Sequence, residues 1–181
     1  PDEVTFDWTG EYTSEMAEAL KVHGFIRFRR FASMGEVRTL RSELDRIAEE
    51  WVAEGREEAY GIPIKYGEDD KGKTFVNRYA FTSLFSEWLH EWLRDDRWEM
   101  VRRICGDRFR IGEREKDGVV VNNYLNVPGS NYTRLGWHID SLRDLFYGKY
   151  PQPMWNVGFY IDDSYEDKGA LRVIAGTHEQ G

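Results

Sequence analysis

Cysteine is nearly absent. Cys105 stands alone, which excludes an internal disulfide and a cysteine-rich zinc site, and points to the cytoplasm as the expected compartment. No apolar run approaches the length of a membrane span, and the opening Pro1-Asp2-Glu3 is acidic where a signal peptide is basic, so no membrane partner is expected. Positive charge is in deficit: 25 Lys and Arg against 33 Asp and Glu give a net charge of −8, which repels polyanions and excludes a nucleic-acid partner held by charge alone. With only 5 Pro and 40% hydrophobic residues the chain is neither disordered nor collagen-like. Its 181 residues suit one domain, burying roughly 70% of the unfolded surface. The first residue is not Met and the chain stops abruptly at Gly181, from which a longer parent chain is expected.

Hydrophobic periodicity changes near Gly106, dividing the expected single domain into a helix-rich flank (1–106) and a strand-rich part (107–181). A helix over 14–23 stops at Gly24, and Phe25, Phe28 and Phe31 follow in a strand. Ser33 and Glu36 have capping-box spacing, and Val37, Leu40, Leu44, Ile47 and Trp51 recur at helical steps until Gly55. Residues 61–73, with their Gly, Pro and mixed charges, read as a loop with little to pack. A third helix is expected over 83–93 and a fourth from Asp96, their periodic aromatics forming core. Beyond Arg108, strands are expected at 119–127, 135–140, 155–161 and 170–174, separated by turns in the manner of a sandwich or jelly roll.

Gly136-Trp137-His138-Ile139-Asp140 carries the most chemistry. Residues two apart on a strand share a face, so His138 and Asp140 would project together and chelate one metal, as two members of the facial triad that holds non-haem Fe(II). A surface His and Asp on an edge strand is the structural alternative, because the spacing also arises by chance. Alternation over 155–161 places Asn156, Gly158 and Tyr160 on a polar, cavity-lining face and Trp155, Val157, Phe159 and Ile161 on the other. The loop after the metal strand offers Phe146, Tyr147 and Tyr150 as a cover over a substrate, or as rings packed beneath the loop. His23 and His90 have no carboxylate at chelating spacing and read as structural.

These segments, in this order, followed by Gly169-Ala170-Leu171-Arg172-Val173-Ile174-Ala175-Gly176-Thr177-His178, resemble the phytanoyl-CoA dioxygenase family. Lys168-Gly169 stands where the family has Asn-Gly, and Ala175 where it has Pro; both are turn substitutions. The resemblance implies an α+β protein with a mainly β core, a double-stranded β-helix (jelly roll, cupin-like) with flanking N-terminal helices, and only the first part of that jelly roll in 107–181. It implies an Fe(II)- and 2-oxoglutarate-dependent dioxygenase that oxidises a small organic substrate using O2, releasing succinate and CO2; with Asp140 present, hydroxylation or a related oxidation such as desaturation or ring closure is expected over halogenation. His138 and Asp140 would be ligands, with the remaining His and the 2-oxoglutarate-binding Arg expected beyond Gly181. His178 matches a turn His that is no ligand. Asn123 matches a family position near 2-oxoglutarate and, with Asn156, would bind it; Phe146, Tyr147 and Tyr160 would face the substrate. The competing readings are an aromatic-rich β-sandwich binding module and a cupin-type metalloenzyme without 2-oxoglutarate.

Overall fold

The computed structural model describes residues 2–125, 136–138 and 155–179. Asp140, Phe146, Tyr147 and Tyr150 lie outside the described residues.

Helix α1 (Ser14–His23) opens at Thr13, whose side chain accepts the Met16 N–H, and closes at Gly24, which sits at φ +80°. A short parallel pair precedes and follows it: β1 (Thr5–Asp7) lies beside β2 (Arg27–Arg29), and Trp8 meets Phe28 and Phe31 edge-on. Helix α2 (Met34–Glu54) begins with the expected capping box: Glu36 N–H donates to Ser33 Oγ at 3.2 Å and Ser33 N–H to the Glu36 carboxylate at 2.8 Å. Its stripe of Leu40, Leu44, Ile47 and Trp51 is buried, each large side chain contributing about 1.5–3 kcal/mol.

The strands depart from the expected order. β3 (Glu58–Ala59) pairs with β4 (Ile62–Pro63), and β5 (Lys65–Glu68) with β6 (Thr74–Tyr79), all before Gly106. Residues 61–73 therefore are not an unpacked loop. Ile64 is buried, Ile62 and Tyr66 pack against the core, and Tyr66 Oη donates to the Arg56 carbonyl at 2.5 Å, so three apolar anchors suffice where Gly and charge dominate the composition. Helix α3 (Glu87–Trp92) starts later than expected, because Ser86 Oγ accepts the Leu89 N–H at 3.1 Å while donating to Glu43 at 2.7 Å. Helix α4 (Asp96–Cys105) is capped by Asp95.

β7 (Val121–Asn122) completes a three-stranded sheet in the order β5-β6-β7. The strands expected at 155–161 and 170–174 have no ladder partner among the described residues: alternation defines a face, but pairing needs a neighbouring backbone. The α+β class holds, with small sheets; among the described residues the core is shared by α2, α3, α4 and β6 instead of being mainly β. No described helix is long and apolar enough to cross a membrane.

Candidate metal and co-substrate site

Gly136, Trp137 and His138 are exposed, and the Arg172 guanidinium lies 5.8 Å from the Trp137 ring centre, so 136–138 stands beside the 170–174 segment. His138 Nδ1 is 2.8 Å from the Gly136 carbonyl. A carbonyl can only accept, so Nδ1 carries the proton, and in the neutral imidazole Nε2 carries the lone pair. This is the state a metal-ligating histidine adopts when a backbone carbonyl holds its other ring nitrogen. Among the described residues no group of three His, Cys, Asp or Glu side chains converges on one point, Asp140 not being among them.

Asn123 lies just past β7, half-buried, with its N–H donating to the Asn77 carbonyl at 2.7 Å. Asn156 and Tyr160 are exposed, but so are Trp155 and Val157, which the sequence pattern places on the same face as Phe159 and Ile161; the expected alternation is therefore present only over 159–161, where Phe159 and Ile161 pack against the core. Phe159 enters a box of rings at 5.2 Å from Trp92, 6.2 Å from Phe31 and 6.4 Å from Trp98. Arg41 on α2 secures the next residues by ion-pairing with Asp162 and donating to the Ile161 carbonyl at 3.3 Å. The helical flank thereby fixes the segment that carries Asn156 and Tyr160.

The box rests on a polar junction that the sequence does not reveal. The Arg97 guanidinium donates to both Glu36 oxygens, to Asp95 and to the Phe31 carbonyl, and Trp92 Nε1 donates to Glu36 at 2.9 Å. Hydrogen bonds from Arg97 chiefly, and then from Ser33 and Trp92, hold the Glu36 carboxyl far below the usual range against the opposing effect of burial. Arg97 likewise lowers Asp95.

Two histidines have structural partners. His90 Nδ1 donates to Glu113 at 2.8 Å, a carboxylate distant in sequence. His178 caps α1: its Nε2 donates to the Lys21 carbonyl at 3.0 Å, and the Gly176 N–H reaches the His23 carbonyl at 2.9 Å. Gly24 has no room for a Cβ, which would lie 2.3 Å from His178 Nδ1. Gly24→Ala therefore both strains a left-handed position and dislodges His178. It is expected to cost about 1–2 kcal/mol in a urea titration.

Two clefts flank α4, of about 330 and 230 Å³, and neither is lined by His138, Asn123, Asn156 or Tyr160. Their walls are salt-bridged side chains such as Glu99 with Arg102 and Arg103.

A family model described as phytanoyl-CoA dioxygenase matches residues 20–181. The chain belongs to the phytanoyl-CoA dioxygenase family. Comparison with curated proteins and with solved structures found no match. The phytanoyl-CoA dioxygenase family has a cupin or jelly-roll fold, and its members are in general Fe(II)- and 2-oxoglutarate-dependent oxygenases acting on small molecules with O2. The match includes the helices from the last turn of α1 onward as well as the His138 segment.

Proposed function

We propose that this chain is an Fe(II)- and 2-oxoglutarate-dependent dioxygenase that hydroxylates a small organic substrate on a jelly-roll framework. The observation that carries the reading is the His138-x-Asp140 pair inside the family match, with His138 in the tautomer that presents Nε2. When bound, Fe(II) supplies the activation of O2, with 2-oxoglutarate decarboxylated to succinate and CO2 as one oxygen atom passes to the substrate. His138 Nε2 and the Asp140 carboxylate hold the metal, the Gly136 carbonyl orienting the imidazole. Asn123 and Asn156 donate amide hydrogens to the co-substrate carboxylates. Phe146, Tyr147 and Tyr160 face the substrate and exclude water from it. His178 has no part in the site, since its Nε2 donates to the Lys21 carbonyl and its Nδ1 packs against Gly24.

Anaerobic calorimetric titration tests this directly. In a chain that also carries the remaining His and the 2-oxoglutarate-binding Arg that the family resemblance implies, Fe(II) or Mn(II) is expected to bind stoichiometrically, and 2-oxoglutarate to bind only to the metal-loaded protein. Metal binding without 2-oxoglutarate binding would leave a cupin-type metalloenzyme, and no metal binding would leave a binding module.

A further inference from the structure

Asn77 interrupts an otherwise β-forming run, Phe75-Val76-Asn77-Arg78-Tyr79, and is 5% exposed. A buried amide in a strand requires partners. On the β5 edge, Lys65 pairs with Arg78 and Tyr66 with Val76, so Asn77 is skipped and forms a β-bulge. On the β7 edge it is not skipped: Arg78 pairs with Asn122 and Tyr79 with Val121, and the Asn123 N–H donates to the Asn77 carbonyl at 2.7 Å. The bulge also shifts the strand's alternation, which is why Val76 and Asn77 are consecutive buried residues.

The freed side chain spans the sheet. Its Nδ2 donates to the Asn123 carbonyl at 3.2 Å, while its Oδ1 occupies the space above Gly67, where a Cβ would lie only 2.6 Å away. Asn123 is thus held at its N–H by the Asn77 backbone and at its carbonyl by the Asn77 amide, although it lies beyond the last residue of β7. Bulges are used in this way to re-aim a side chain beside a functional site.

We infer that Asn77 is a positioning residue for the co-substrate, fixing Asn123 at the end of β7 so that the Asn123 amide meets a 2-oxoglutarate carboxylate. This rests on the reading of Asn123 given under Proposed function. The test is Asn77→Ser in the full chain, whose hydroxyl is too short to replace the amide. Anaerobic calorimetry with Mn(II) is expected to show 2-oxoglutarate affinity reduced about tenfold, the loss of one hydrogen bond's worth of ordering, with Mn(II) affinity unchanged. In turnover the loss should fall on KM for 2-oxoglutarate, with kcat at saturation within about twofold. Gly67→Ala, which drives its methyl against Oδ1, should act in the same direction. In an Asn123→Ala background, Asn77→Ser should cost nothing further.

An unchanged 2-oxoglutarate affinity in folded Asn77→Ser overturns the inference, as does an equal loss of Mn(II) affinity or full additivity with Asn123→Ala. Asn77→Asp preserves volume while removing the donor, and carries the same expectations if the serine variant does not fold. Failure of the wild-type protein to bind 2-oxoglutarate instead overturns the underlying assignment of function.

Discussion

His138→Ala should abolish 2-oxoglutarate-dependent succinate formation and weaken Fe(II) binding more than about a hundredfold, because removing even an outer partner of a ligand costs 10–100-fold. The side chain is exposed and belongs to no buried cluster among the described residues, so the core should not register the change. Thermal melting without metal should therefore match the wild type, separating loss of a ligand from loss of fold. Asp140→Ala is expected to behave in parallel. Asp140→Gly should retain some 2-oxoglutarate binding without hydroxylation, since the vacated position admits water or halide. Undiminished succinate formation by His138→Ala would remove the oxygenase reading.

Arg97→Ala should be the more damaging change to the fold, costing about 3 kcal/mol in a urea titration at neutral pH, because it leaves two carboxylates and a carbonyl without their common donor. The Arg97 and Glu36 side chains are only 22% and 25% exposed, so water replaces the lost bonds poorly. The dependence on pH follows from the direction of the carboxylate shifts. Glu36 and Asp95 are lowered on folding, chiefly by Arg97, so the stability they contribute is complete above the unfolded carboxylate range near pH 4 and is lost as pH falls toward the folded values. The variant has less to lose. The wild-type advantage should therefore narrow between about pH 5 and pH 3, read as converging urea midpoints. A constant gap would show that Arg97 acts through packing on Phe31, whose ring centre is 5.7 Å from its guanidinium.

Local chemistry was readable from the chain wherever cause and effect lie within one turn. Ser33 with Glu36, and Gly24 and Gly55 at helix ends, mark the boundaries of α1 and α2. The same Glu36 also receives Arg97 and Trp92, residues about sixty positions away, and no local pattern announces that. The bulge at Asn77 is hidden for a related reason: it exists only relative to β5, and a single strand does not show which of its residues a neighbour will skip. Residues 61–73 misled because composition reports average polarity, whereas a few apolar side chains, Ile62, Ile64 and Tyr66, anchor the segment. At the candidate site the His138-Asp140 spacing was plain, but the proton on Nδ1 depends on how the chain turns at Gly136.

The Phe159 box also bears on how the protein is made. Phe31, Trp92 and Trp98 leave the ribosome well before the ring that closes over them, and Asp162, the partner of Arg41, follows only after Phe159. At 5–20 residues per second the interval from Trp98 to Phe159 is about 3–12 s, during which the nascent helical flank shows an unfilled aromatic surface. Chaperone contact with the growing chain should concentrate in that interval and end as Phe159 docks. Slower translation across the intervening stretch would lengthen exposure without altering the final fold, making yield a matter of synthesis rate as well as of stability.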